Sequence, residues 1–388
     1  MTAEVVRRGG RVPFHFVWIA RRMVVTRDLT AGAQLPRGTE VMSVQGVRAA
    51  DLLLSMMRFV GADGSNDAKR VSALEVQGRS AYESFDLFLP LLLDGVEERL
   101  ELRVRFPGEQ AVRAVSVAPL GWEDRKRDHD AREEASGGLP WSLDFSDSAF
   151  ALLRMDSWAV YNSGVNWDST LNSMLDRVVD SGRLALVVDL RNNAGGLDCG
   201  DVILQRLVRD TTRFELERRF VRYRRTPADL DSSLDTWDDS FRDFTADTPE
   251  SPGPDGLYPV GGGAGDAFGV IVPKGRPFHG RVYVLVGPAN SSATFQFASQ
   301  VRSAGLGKLV GRPTGGNQRG INGGRFFFLR LPHSRIEVDL PLVAYFPPRP
   351  LPDAGLRPDV LVGHTVEGVA AGSDPELDSV RRMLWSKR

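Results

Sequence analysis

The stretch LVGPANSSATFQFASQV, Leu285 to Val301, sets two adjacent serines, Ser291 and Ser292, between an apolar run and a segment whose apolar residues recur at helical spacing. A hydroxyl at such a strand-to-helix junction has two uses. It can cap the helix by accepting an NH that no earlier turn satisfies. It can also be a nucleophile, because the junction holds it rigidly beside free backbone NH groups able to stabilise an oxyanion. A second chemical stretch, VVDLRNNAGGLDCGD, puts a polar tip and the glycines Gly195 and Gly196 at the carboxyl end of an apolar run. Glycines there let the backbone turn sharply and approach a ligand, and α/β sheets favour that edge for ligands. Read as a plain turn, the same stretch uses Arg191 and the asparagines as loop ties. A third stretch, GKLVGRPTGGNQRGINGG, lacks the terminus and following helix of a phosphate loop, and reads as an adjustable turn beside a cleft. AGLRPDVLV is a turn leading into a short terminal strand.

The elements that must carry these pieces can be read from apolar periodicity. Residues 12–27 are extended, Glu40 to Val44 is a strand, and an amphipathic helix starts near Ala49. ERLELRVRF and AVRAVSVAP flank PGEQ as a hairpin. These make a β-rich module over residues 1–119. The segment 120–139 is dense in charge and reads as an exposed linker. Beyond it, over 140–388, come a strand in FALLRMDSW, a helix in WDSTLNSMLDRVVDSG capped near Asp168 or Ser169, and a buried strand in LALVVDL. That order implies a crossover and a layered α/β domain. Another helix follows Gly200, and the Asp-, Pro- and Gly-rich stretch 226–267 reads as a mobile surface insertion or lid.

Composition narrows the function. With 388 residues there is chain for two or three domains. A formal net charge of -1 gives no electrostatic case for nucleic acid or anionic membrane. One cysteine, Cys199, excludes an intrachain disulfide and argues against a cysteine-based zinc site. It leaves the compartment open. No stretch has the length and apolarity of a membrane span, and the first 25 residues have no h-region of a signal peptide.

Taken in order, ALVVDLRNNAGG, VYVLVGPANSSATFQFA, GLGKLVGRPTGGN and GLRPDVLV resemble the serine peptidases that include the C-terminal processing (tail-specific) proteases and the tricorn core protease. The resemblance spans Ala149 to Val362. LPRGTEVMSVQG in the first module looks like that family's PDZ-like domain. It implies a PDZ-like module followed by an α/β peptidase domain of the ClpP/crotonase-like type, hydrolysing peptide bonds in polypeptide substrates with no metal or organic cofactor. Ser292 aligns with the family nucleophile, with Asn290 and Ser291 as supports. The implied oxyanion donors are the NH of Ala293 and that of Gly195 or Gly196. The loop Leu35 to Gly38 is the expected site for a peptide carboxylate. Family members are often exported, periplasmic or secreted.

The base departs from the pattern. Asn317 stands where the tail-specific branch has its lysine, and Lys308 lies upstream. The tricorn-like branch uses a histidine ahead of the PDZ-like module, oriented by a glutamate near the last turn, for which Asp353 is the stand-in. His15, His129, His279, His333 and His364 do not match that motif. Two expectations follow: the chain is an N-terminally shortened version of a longer precursor, folded but nearly inactive, or it is a noncatalytic peptide-binding relative.

Overall fold

FHFVWI and RMVVTRD meet at Ala20 and Arg21, both at positive φ, which is the two-residue turn whose twist matches a β-hairpin. In this computed structural model, which describes residues 9–134, 139–215, 217–261 and 268–386, the hairpin forms β1 (Phe14–Ile19) and β2 (Arg22–Asp28). It continues into β3 (Glu40–Val44), β4 (Val47–Arg48), β5 (Leu100–Arg105) and β6 (Val112–Val117). All pair antiparallel, in the order β1-β2-β3-β5-β6 with β4 on β3. Helices α1 (Ala49–Met56), α2 (Asp67–Ala73) and α3 (Ser84–Leu92) complete the PDZ-like module. Phe14, Phe16, Met23, Leu53 and Leu102 form its core.

The expected linker is in large part a helix, α4 (Trp122–Glu134). Its Arg125, fully buried, donates Nε to Asp86 Oδ2 at 3.0 Å and Nη2 to the Val12 carbonyl at 2.7 Å. A charged residue in a charge-dense run was thus the anchor, which composition hides; residues 135–138 lie outside the described residues.

The second domain opens with β7 (Trp141–Asp144), β8 (Phe150–Met155), α5 (Trp167–Asp180), β9 (Ala185–Asp189) and α6 (Cys199–Leu207). The side chain that caps α5 is Asn166, which accepts the Ser169 NH at 3.0 Å, not Asp168 or Ser169. After β10 (Thr212–Glu215), β11 (Arg218–Val221), β12 (Leu234–Asp235), β13 (Tyr258–Pro259) and β14 (Phe268–Ile271) come β15 (Arg281–Val286) and α7 (Ser292–Ser303). The chain ends with β16 (Lys308–Gly311), β17 (Ile321–Arg330), β18 (Glu337–Phe346), β19 (Val360–Leu361), α8 (Val366–Ala371) and α9 (Pro375–Trp385).

The main sheet runs β19-β16-β15-β9-β8-β7, parallel except for β7 at its edge. Alternate residues of its strands face opposite layers. Leu186, Val188 and Val284 belong to the core shared with α5, α6 and α7, while Val187, Tyr283 and Val310 pack with Leu377, Val380 and Leu384 of α9. Because β15 lies between β9 and β16, the carboxyl ends of three parallel strands bring the three glycine- and serine-containing loops to one edge.

A second, antiparallel sheet, β12-β17-β18-β11-β13, takes two short strands from the expected lid. The described part, 226–261, contributes β12 and β13 and buries Leu234 and Phe241 with Phe327, and Phe244 with Val221 and Val343. These side chains anchor a segment whose residues are otherwise mostly exposed. Its apolar residues are spaced irregularly among turn formers, so no period betrays them. Residues 262–267 lie outside the described residues.

The loop Leu35 to Gly38 meets α8. Arg37 Nε donates to the Val369 carbonyl at 2.7 Å, and a Cβ on Gly38 would lie 2.4 Å from that of Ala370 on α8. The NH groups of Leu35 and Gly38 are taken by Asp28 and the Val25 carbonyl. The expected carboxylate role does not fit that packing.

Candidate active site

After β15 the backbone turns through Gly287 to Asn290, and Asn290 holds the turn. It is fully buried, its Oδ1 accepts the Gly287 NH at 2.7 Å, and its Nδ2 donates to the carbonyls of Leu190 and Asn193. Ser291 occupies the N-cap position of α7 in extended backbone but makes no capping bond. Its Oγ instead donates to the Ala194 carbonyl at 3.3 Å and accepts from Lys69 Nζ at 3.2 Å. Ser292 differs in two ways: it is exposed, and its φ is +51°. A serine in the left-handed region costs on the order of 1–3 kcal/mol and persists only where its surroundings over-determine it. Here that conformation opens α7 and leaves the hydroxyl at the positive end of the helix.

The facing loop follows β9. Asn193 is buried and donates Nδ2 to the Met155 carbonyl at 2.8 Å, while its Oδ1 accepts the Gly195 NH at 2.9 Å. Thr294 Oγ1 ties the same loop to the serine turn through the Asn193 carbonyl at 3.0 Å. Both glycines are dictated by close approach. A Cβ on Gly195 would lie 2.9 Å from Ser292 Cβ and 3.2 Å from the Ala293 nitrogen, and one on Gly196 only 2.1 Å from the Trp158 carbonyl carbon. NNAGG therefore does face NSSA. The Gly195 NH is occupied, whereas the NH groups of Gly196 and Ala293 have no acceptor among the described residues.

Arg191 is a tie, as the plain-turn reading had it. It reaches Asp189, Asp374 and Glu376, fastening the end of β9 to the start of α9. Burial alone would raise the Asp189 carboxyl, yet Arg191 holds it below its ordinary value.

Asn317 and Asp353 come together at the boundary with the module. Asn317 Nδ2 donates to Asp353 Oδ1 at 2.6 Å and to the Asp63 carbonyl at 3.0 Å. Asp353 also accepts the NH and the hydroxyl of Ser65, each at 3.0 Å. The Ser65 NH, then Asn317 and the Ser65 hydroxyl, hold that carboxyl down at about 2. Beside them, Asn66 Nδ2 donates to the carbonyls of Thr314 at 2.9 Å and Gly316 at 3.0 Å. Gly316 NH in turn reaches the Asn290 carbonyl at 2.7 Å. Residues 63–69 of the module thus grip the glycine-rich loop next to the serine turn. Sequence reasoning passed over Ser65, Asn66 and Lys69; the signal present was a DGSN turn with Asn66 placed to cap α2.

His15 faces Asp128 at 2.8 Å inside the module, His129 neighbours Asp130, and His364 pairs with buried Glu376 at 2.8 Å. His279 lines a cavity of about 980 Å³ with Arg209 and Gly305, at the opposite end of β15 and α7 from Ser292. Lys308 begins β16, at the far end of its strand from the glycine-rich loop. One helical turn after Ser292, Gln296 Nε2 meets Glu217 Oε2 at 3.2 Å, and burial pushes the Glu217 carboxyl up. Among the described residues no group of three His, Cys, Asp or Glu could hold a metal ion, and no helix is long and apolar enough to cross a membrane.

The sequence model of peptidase family S41 matches residues 149–349. Among solved structures, mature CPAF complexed with lactacystin is similar at 15% identity and a TM-score of 0.60, over 97% of this chain and 82% of that one. Mature CPAF alone aligns at 16% identity with the same TM-score, over 97% and 81%. The photosystem II D1 C-terminal processing protease aligns at 15% identity over 95% and 78%, with a TM-score of 0.37. No curated protein matches the sequence.

Proposed function

Because the chain belongs to peptidase family S41, a family of serine peptidases acting on peptide substrates, we propose that Ser292 is the nucleophile of a peptide-bond hydrolase. The observation that carries this is the exposed serine at φ +51°, at the start of α7 and in contact with the Gly195 loop. In this reading Ser292 Oγ attacks the carbonyl carbon of a polypeptide substrate as its proton passes to a base. The Ala293 and Gly196 NH groups receive the oxyanion, Gly195 being spent on Asn193. Collapse breaks the C–N bond as that base returns the proton to the amine, and water, giving up a proton to the same base, hydrolyses the ester to the free acid and Ser292.

Asn290 and Ser291 act as supports, which agrees with their burial and bonds. Asn317 and Asp353 serve as a latch between module and peptidase domain rather than as base and orienting acid, since both are engaged by Ser65 and Asp63. The test is hydrolysis of a denatured protein substrate by the full chain and by Ser292→Ala. Loss of about three orders of magnitude or more in the variant is expected; equal turnover would remove the reading.

A second reading, a noncatalytic peptide binder, is favoured by Asn317 in the lysine position, bound to Asp353, and by the pairing of His15 with Asp128 and of His364 with Glu376. Saturable binding of unfolded peptide with no cleavage by the wild type would select it.

A further inference from the structure

A cation reaches the serine pair from the N-terminal module. Lys69, in the first turn of α2, places Nζ 3.2 Å from Ser291 Oγ and 3.0 Å from Asp63 Oδ2. Its backbone is fixed on the N-terminal side by Asn66, whose Oδ1 accepts the Lys69 NH while its Nδ2 binds Thr314 and Gly316. Ser65, one residue earlier, is held by Asp353. Ser291 passes the contact on, because its Oγ donates to the Ala194 carbonyl, immediately before Gly195 and Gly196. A continuous run of hydrogen bonds therefore joins Asp63, Lys69, Ser291 and Ala194.

We propose that Lys69 is a positioning residue for the hydrolysis, acting through Ser291 on the oxyanion loop. A serine hydroxyl can rotate, and an unheld Ser291 Oγ could point its proton at any nearby acceptor. A donor on its lone pair leaves the proton for Ala194, so the loop carrying the Gly196 NH is held at a set distance from Ser292. Nζ is shared between Asp63 and Ser291, so Lys69 acts on the Ser292 turn through its neighbour. Its positive charge also adds to the field at the helix start where the oxyanion develops. The module thereby contributes directly to the peptidase site. This inference rests on Ser292 being the nucleophile.

The test compares the full chain with Lys69→Met, Lys69→Arg, Ser291→Ala, the double variant Lys69→Met/Ser291→Ala, and Ser292→Ala. Readouts are kcat and KM on a fluorogenic peptide, the rate of Ser292 labelling by a fluorophosphonate, and the melting temperature as a check of folding. Lys69→Met is expected to lower kcat and the labelling rate about 10- to 100-fold, as for a small misplacement of a reacting group, with KM changed less than about threefold. Lys69→Arg should recover part of the loss, and the double variant should be no worse than the poorer single one. Folded Lys69→Met with wild-type kcat and labelling, or fully additive losses in the double variant, would overturn the role of Lys69. If Ser292→Ala kept its activity, the nucleophile assignment would fall instead. A failure of Lys69→Met to fold shifts the decision to Lys69→Arg and Ser291→Ala, where unchanged rates in both overturn the proposal.

Discussion

The Nδ2 of Asn317 lies 2.6 Å from Oδ1 of Asp353, and that carboxylate also takes the NH and hydroxyl of Ser65. Two residues of the peptidase domain and one of the PDZ-like module thus share a single charge. The bonds lower the Asp353 carboxyl from 3.8 to about 2. A carboxyl depressed on folding contributes stability that is present above its unfolded value and lost as pH falls through the folded one. The melting temperature of the wild type is therefore expected to exceed that of Asp353→Asn at neutral pH, with the gap shrinking between about pH 4 and pH 2. A gap that stayed constant over that range would show that the charge plays no part.

A second prediction concerns α4. Arg125 and Asp86 are both buried and 3.0 Å apart, so removing Arg125 strips the core carboxylate of its paired guanidinium and leaves it the Val12 NH and the charge of Arg11. Arg125→Ala should cost about 3–5 kcal/mol in urea unfolding of the full chain, and a paired apolar replacement of both residues should recover most of it. A loss under about 0.5 kcal/mol for Arg125→Ala would mean the helix is the detachable linker its composition suggests.

These two sites also mark what could be read from the sequence. Strands with five or six consecutive buried or alternating residues, such as Ala185–Asp189 and Leu100–Arg105, were legible because each residue's environment is set by its own period. The nearness of NNAGG to NSSA was legible through the family resemblance, and the neighbouring parallel strands β9 and β15 account for it. Contacts such as Ser65 with Asp353, 288 positions apart, have no local signature. Arg125 was misread because charge density reports mean exposure, whereas one buried ion pair decides where α4 docks. The few buried anchors of the segment 226–261 were not legible for a related reason: Phe241 packs with Phe327 of β17 as well as with Leu234, and Phe244 with Val221 and Val343 of β11 and β18. The general base had no legible position, and the contact of Lys69 with Ser291 depends on two modules docking.

The oxyanion loop supplies a third prediction. Gly196 has φ +138° and sits where a Cβ would meet Trp158 backbone at 2.1 Å, so Gly196→Ala must displace its NH. Loss of one such donor typically lowers kcat by about 10²–10³-fold. That loss is expected here with the remainder of the fold intact by circular dichroism. Turnover within about threefold of wild type would exclude the Gly196 NH from the oxyanion site.

The most direct test of the account is the position at which a fluorophosphonate probe attaches to the full chain, read by peptide mass mapping. The expected result is one adduct, on Ser292, retained in Ser291→Ala and absent from Ser292→Ala. An adduct on Ser291, labelling that survives Ser292→Ala, or no adduct on the folded wild type after prolonged exposure at pH 8 would contradict the assignment of Ser292 as the reactive serine.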